Sequence, residues 1–200
     1  ALKTPLSVLA NAAHAPEKRD DDLARLVASQ VDAVRKQVDY HLSRAQAAAS
    51  VQVPGIRTAV EPVIQGLVRV MQRVHADRQL EFVVHPDQAN LAFRGEEQDL
   101  QEMLGNLIDN ASKWARSRIE IQVSDESGKL RVSIDDDGKG IAETECDHVL
   151  KRGVRADEQV PGTGLGLAIT ADLARMYGGD LVLAKSSLGG LQVSLILPAV

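Results

Sequence analysis

The sequence predicts an α+β protein, an all-helical opening section followed by a mixed α/β domain. Three observations carry this. Residues 1–50 hold apolar positions at helical spacing. Segments 118–123, 130–134, 180–184 and 191–197 alternate with a period of two and come in adjacent pairs. Helical stretches near 60–78, 96–115 and 165–177 are interleaved with the strands. That order favours an antiparallel-dominated sheet covered by helices on one face.

Composition bounds the possibilities. The 200 residues can bury a real core. A net charge of -5 argues against nucleic-acid binding, which would call for a basic excess. A single cysteine leaves no internal disulfide and fits a reducing compartment. Aromatics make up 2%, so the core must be aliphatic. No apolar run is long enough to span a bilayer, and no signal peptide is visible. The chain opens on Ala1 without a Met and reads as a piece of something longer, any membrane contact lying in segments before it.

Leu2, Leu6 and Leu9 start a first helical stripe, which His14-Ala-Pro-Glu-Lys18 breaks at Pro16. From about Asp20 to Ala49 a second helix carries Leu23, Leu26, Val27, Val31, Val34, Val38 and Leu42 at heptad-like spacing, without Gly or Pro. Together they predict an antiparallel hairpin over residues 1–50. Its exposed stripe would be covered by a second copy, giving a four-helix bundle, or by its own domain. Residues 51–55 read as a linker ending in Pro54-Gly55, and 56–200 as the α/β domain. Within it, a short extended piece precedes a helix from Val60 to Arg78. Leu80–Val84 is a strand, with Asn90–Arg94 as a short partner strand. A helix follows from Glu96 to about Ala115. Arg118–Val123 and Leu130–Ile134 form a hairpin across Glu126-Ser-Gly128. Residues 135–163 are polar and loop-rich. A helix then runs from Leu165 to Tyr177 and ends at Gly178-Gly179. Asp180–Ala184 and Leu191–Leu197 pair around Leu188-Gly-Gly190.

Three places carry chemistry. On the 96–115 helix, Leu100, Met103, Leu104, Leu107, Ile108 and Ala111 mark the buried stripe. Glu102, Asn106, Asn110 and Lys113 form a second row, one carboxylate, two amides and one ammonium. Such a row could hold a metal ion and a polyphosphate, or simply face solvent. Ile134-Asp-Asp-Asp-Gly-Lys-Gly-Ile141 drives a strand into three acids and two glycines. A carboxylate there can accept from a buried ligand amine, and the glycines let backbone approach a flat ring. The other readings are a polar turn or a calcium loop, and the EF-hand spacing is absent. Pro161-Gly-Thr-Gly-Leu-Gly-Leu167 opens a helix, where clustered N–H groups and the helix dipole favour an anion. It lacks the ending of a P-loop. Lys151, Arg152 and Arg155 precede it as a lid or as an exposed charge cluster.

Taken together and in this order, these elements resemble the sensor histidine kinases of two-component systems. Asn106–Trp114 resembles their N box, Asp136-Asp-Gly-Lys-Gly140 the G1 box and Gly162-Thr-Gly-Leu-Gly166 the G2 box. Leu2-Lys-Thr-Pro-Leu6 is similar to the H box, His-x-Leu-Lys-Thr-Pro. Arg152-Gly-Val-Arg155 and Leu188-Gly-Gly190 are similar to the PhoQ-type branch. The resemblance implies a dimerisation and phosphotransfer hairpin followed by a two-layer ATP-binding domain of the Bergerat fold, with a mostly antiparallel mixed sheet. It implies ATP and Mg²⁺ as cofactors. Asn106 would ligate Mg²⁺, and Asn110 and Lys113 would contact the phosphates and ribose side. Trp114 would lie near the adenine and Asp136 would accept from its amino group. Gly138 and Gly140 would allow close approach, with Ile141 beside them. Arg155 and Arg152 would meet phosphates from the lid, and Thr163, Gly164, Leu165 and Gly166 would hold them at the helix start. Glu102 stands where related ATPases place a water-activating carboxylate. Thr4 holds the position used to orient water during dephosphorylation of a partner.

The pattern also departs from the family. The phosphoacceptor His is expected immediately before Ala1, and Ala1 occupies a position where the family usually has Glu or Asp. Val149-Leu150 replaces the usual phenylalanine segment of the lid. His14 and His41 lack the flanking motif. His75, His85 and His148 read as surface or edge residues, and Cys146 sits in the lid with no activating basic arrangement. The implied partners are ATP and the receiver domain of a response regulator. The full-length parent would be a homodimer at the cytoplasmic face of the inner membrane, and a monomeric state of this piece would trace to its truncated first helix. The alternatives are another ATPase of the same nucleotide fold, of the gyrase, chaperone or mismatch-repair kind, and a non-catalytic dimerisation or regulator-binding module.

Overall fold

The apolar periodicity of residues 97–114 becomes the central helix of the domain. In a computed structural model, residues 55–85, 91–150 and 166–199 are described, together with Val27. The chain divides into two units, Ala1–Gln46 and Ala47–Val200. The expected hairpin, Thr4 and all of the expected linker but Gly55 lie outside the described residues. So do Lys151, Arg152, Arg155, Thr163, Gly164 and Leu165.

In order, the described elements are β1 (Thr58–Ala59), α1 (Val60–Val74), a 3-10 turn (Ala76–Arg78), β2 (Glu81–Val84), β3 (Ala92–Phe93), α2 (Glu97–Trp114), β4 (Arg118–Asp125), β5 (Lys129–Asp136), α3 (Glu143–Val149), α4 (Gly166–Met176), β6 (Asp180–Lys185) and β7 (Leu191–Pro198). Five strands form one sheet in the order β2-β4-β5-β7-β6, and β1 pairs with β3 apart from it. All neighbours in the sheet are antiparallel except β2 and β4. The architecture is therefore α+β with a mostly antiparallel mixed sheet.

Alternation in the strands explains the layering. Ile119, Ile121, Val132, Ile134, Val193 and Leu195 are buried on one face under the helices. The same strands turn Ser133 and Ser194 to the other face, where their hydroxyls meet at 3.1 Å. On the helical layer, α2 packs between α1 and α4. Leu100, Met103, Leu104, Leu107 and Ile108 are all at or below 1% exposure, which makes α2 the core of the domain. At about 1.5–3 kcal/mol per fully buried large side chain, this stripe is a main source of its stability.

Three expectations change. The segment at 92–93 does not pair with 81–84. It pairs with Thr58–Ala59 instead, while β2 runs parallel to β4. Alternation over two residues does not encode a partner, and the α2 crossover returns the chain in the direction of β2. The polar span after Asp135 is not all loop, since β5 reaches Asp136 and α3 occupies Glu143–Val149, with Cys146 on that helix. His75 is half-buried, with Nε2 3.4 Å from Asp109 Oδ1, rather than a surface residue.

Two turns follow their chemistry. Ser127 and Gly128 both take positive φ, +58° and +78°, which suits a two-residue hairpin. After α4, Gly178 at φ +75° leaves the helix and Gly179 N donates to Ala174 O at 2.9 Å. Among the described residues, no helix is long and apolar enough to cross a membrane.

Candidate functional site

The site is built from the middle and end of α2, the end of β5 and the start of α4. Glu102, Asn106, Asn110, Lys113 and Trp114 are all half-buried, between the core stripe and the exposed residues Gln98 and Gln101. This position lets a side chain be held by the fold and still reach a ligand. The far end of α2 is anchored by a buried pair, the Tyr177 hydroxyl donating to Asp99. Burial raises the Asp99 pKa, and the Tyr177 hydrogen bond offsets part of that. Tyr177 also packs edge-on against Phe93, with ring centroids 4.8 Å apart. Asp99 and Tyr177 meet at one end and Asn106 and Gly166 at the other, so α2 and α4 run antiparallel.

Asn106 is the first site residue placed by this packing. A side-chain carbon on Gly166 would lie 3.7 Å from Asn106 Oδ1, so the N-terminus of α4 abuts the amide. An 11-residue helix directs its unpaired N–H groups toward that point. An amide oxygen beside a helix N-terminus suits an anion with an associated cation.

The C-terminal end of α2 is held by residues that sequence reasoning passed over. Arg78 donates to the carbonyls of Ser112 at 2.5 Å, Lys113 at 2.7 Å and Ala115 at 2.5 Å. It thereby satisfies carbonyls that a helix end leaves unpaired. Asp137 seals the turn that follows, accepting from Arg116 N at 2.7 Å and Ser117 Oγ at 2.7 Å. Burial pulls its pKa up, but the hydrogen bonds from Ser117, Arg118 and Arg116 outweigh it and bring the value down to about 2. Lys113 is paired with Asp109 one turn earlier on the same helix.

Asp136 ends β5 with 2% exposure. Its Oδ1 accepts from Gly138 N at 2.8 Å and from Leu191 N at 3.2 Å. Burial raises its pKa, and the Gly138 and Leu191 bonds work against that. Gly138 has no alternative residue, because a Cβ would come within 3.0 Å of Trp114 O and of Asp136 Oδ1. The G1-like loop is therefore packed on the end of α2. Lys139 lies over the Trp114 ring, Nζ 4.7 Å from its centroid. Gly140 takes φ +67°, and a Cβ there would stand 3.0 Å from Gly190 O. So Trp114, Asp136, Gly138, Gly140 and Gly190 converge, and Asn106 meets Gly166 along the same helix. Ile141 is half-buried against the core. The sequence signals for Arg78, Lys139 and Gly190 were faint, since an isolated Arg and an isolated Lys carry no spacing, and Gly190 reads as an ordinary turn residue.

Comparison with known proteins adds to this geometry. Residues 95–200 match the family described as "Histidine kinase-, DNA gyrase B-, and HSP90-like ATPase". The chain is 38% identical over 200 residues to the sensor protein kinase CarS of Pseudomonas aeruginosa, covering 99% of this chain and 44% of CarS. It is 28% identical to the virulence sensor histidine kinase PhoQ of Salmonella typhimurium, covering 98% of this chain and 41% of PhoQ. The chain thus spans less than half the length of these curated relatives. Among solved structures, the mycobacterial sensor histidine kinase MprB matches with a TM-score of 0.62 and 26% identity, over 72% of this chain and 97% of that one. The match spans α2, the Asp136 loop and α4, and on it the chain belongs to the family of histidine kinase-, DNA gyrase B- and HSP90-like ATPases.

Proposed function

We propose that this chain is the catalytic region of a two-component sensor histidine kinase, which binds Mg-ATP and transfers the γ-phosphate to a histidine and then to an aspartate of a response regulator. The observation that carries the reading is the convergence on α2: Asn106 abuts the N-terminus of α4 at one point, and Trp114 meets the Asp136–Gly138 loop at another. A polyphosphate would occupy the first and a purine the second. The relatives named above, all sensor kinases, support the same reading.

Each residue has a role in this reading. Asp136 accepts from the adenine amino group, Trp114 flanks the ring, and Gly138 and Gly140 leave room for it. Asn110 and Lys113 face the ribose and phosphates, Lys113 by exchanging its Asp109 partner for a phosphate oxygen. Gly166 and the preceding Thr163, Gly164 and Leu165 present N–H groups to the phosphates. Arg152 and Arg155 close over them. Asn106 holds Mg²⁺. One half-buried side-chain oxygen beside a phosphate-binding helix end fits that ion, which takes few protein ligands and fills its shell with water and phosphate oxygens. When bound, the metal neutralises charge on the transferring phosphoryl group. The protein's own contribution is positioning: α2 and α4 fix the phosphates relative to an incoming imidazole. Glu102, one turn before Asn106, is the remaining carboxylate on that row, and Thr4 would orient water in the reverse, phosphatase direction. The parent protein would be a homodimer on the cytoplasmic face of the inner membrane.

Titration with ATP in the presence and absence of Mg²⁺ tests the binding step. Mg²⁺-dependent binding is expected, and its absence would overturn the reading. Asn106→Ala is expected to weaken Mg-ATP binding about tenfold or more with the fold intact. For the transfer step, a hairpin with a histidine before the position of Ala1 is supplied in trans. Acid-labile, base-stable phosphate on that histidine is the expected product. ATP hydrolysis without it would favour another ATPase of the family.

A further inference from the structure

The way Asp136 is held has a consequence for which base the site accepts. Its Oδ1 takes two main-chain donors from different parts of the fold, Gly138 N at 2.8 Å and Leu191 N at 3.2 Å. Gly190 N donates to Asp136 O at 3.1 Å. The β6–β7 turn thus grips the residue by both side chain and backbone. Gly190 makes this approach possible, since a Cβ there would fall within 3.0 Å of Asp136 Oδ1, Asp136 O and Gly138 N. Two of those atoms are backbone and cannot swing aside. The turn is closed on itself by Ser186 N to Gly190 O at 3.0 Å. Residues flanking it hold the neighbouring Asp135 separately, Ser186 Oγ at 2.8 Å from Oδ1 and Gln192 Nε2 at 3.0 Å from Oδ2.

We propose that the β6–β7 turn sets the hydrogen-bonding polarity of the base site: with Oδ1 of Asp136 claimed by two backbone amides, the group at the Oδ2 position alone decides between a 6-amino and a 6-oxo purine. This rests on the reading of Asp136 as the base contact. A carboxylate presents a lone pair at Oδ2, which accepts from a 6-amino group and repels a 6-oxo group. An asparagine at this position would have no freedom to flip. Two N–H donors require an oxygen at the Oδ1 place, so the NH₂ must face the ligand. It would donate to a 6-oxo purine and clash with a 6-amino group. Gly190 and Leu191 act here as positioning residues, since they touch Asp136 and not the base.

The test compares binding of ATP and inosine triphosphate, a 6-oxo purine nucleotide, to the wild-type chain and to Asp136→Asn, both with Mg²⁺. Burial already disfavours the Asp136 charge, so the neutral isostere suits the site, and thermal unfolding checks the fold. The wild type is expected to prefer ATP by about tenfold or more, and D136N to reverse the order, binding inosine triphosphate several-fold tighter than ATP. Asp135→Asn, whose carboxylate is held apart from Asp136, keeps the wild-type preference. Equal binding, an unchanged preference or loss of both nucleotides in a folded D136N overturns the proposal. Gly190→Ala gives an independent reading: it displaces Asp136, and the preference for ATP falls toward one. Retention of the full preference in that variant also overturns it. A wild-type chain that binds both nucleotides equally would instead remove the assignment of Asp136 as the base contact.

Discussion

The guanidinium of Arg78 donates to the carbonyl of Lys113 at 2.7 Å, across 35 residues of sequence. Together with its bonds to Ser112 and Ala115, this contact closes the C-terminus of α2 directly beneath Trp114. Arg78→Ala leaves those carbonyls half-satisfied in a partly buried setting and should cost about 2 kcal/mol. Arg78→Lys should recover only part of it, because an ammonium cannot fork across three acceptors. Urea unfolding of the two variants measures both values. Equal stability of R78A and wild type would remove Arg78 as the cap.

Asp99 and Tyr177 tie α2 to the end of α4. Tyr177→Phe removes the donor to a buried carboxylate and should destabilise by about 1–3 kcal/mol. The pH dependence has a definite sign. The folded-state pKa of Asp99 is raised, so the folded chain binds this proton more tightly than the unfolded chain. Its contribution to stability is therefore greatest at acid pH and falls as pH rises through the folded pKa. Asp99→Asn keeps an acceptor for Tyr177 without the charge, so its stability relative to wild type should improve between pH 4 and pH 7. Denaturant midpoints across that range supply the check, and a relative loss on raising pH would contradict it.

Asp137 behaves in the opposite way. Its pKa is lowered to about 2, so it stabilises the fold above the ordinary aspartate range and the effect disappears as pH falls through about 2. Asp137→Asn should cost about 1 kcal/mol at pH 7, allowing for partial exposure, with a smaller difference from wild type near pH 3. A difference that does not shrink on acidification would show that packing, not charge, is what Asp137 supplies.

Two glycines should respond with opposite signs. Gly66 lies within α1, where a Cβ would meet only Arg69 Nη2, at 3.9 Å, so Gly66→Ala should stabilise by about 0.5–1 kcal/mol. Gly138→Ala would press a Cβ into Trp114 O and should destabilise by about 1–3 kcal/mol. Thermal unfolding separates the two, a midpoint rise for G66A and a fall for G138A. A stabilised G138A would show that the end of α2 and the G1-like loop are not in contact.

Much of this protein was legible locally. The apolar stripe of α2, the Ser127-Gly128 hairpin and the Gly178 helix end follow from side-chain period and turn chemistry, which depend on residues a few positions apart. Asp136 and its two glycines could be singled out as a ligand loop for the same reason. The sequence by itself therefore determined which residues are buried, where the chain turns and which segments bear chemistry. Only the tertiary structure decided what each meets. Arg78 caps a helix that begins nineteen positions after it, Gly190 grips Asp136 from 54 positions away, and β2 finds β4 rather than the nearer 92–93 segment. Periodicity states that a face is buried and not against what, because the partner is chosen only when α2 and α4 close over the sheet and bring distant donors and acceptors within hydrogen-bond reach.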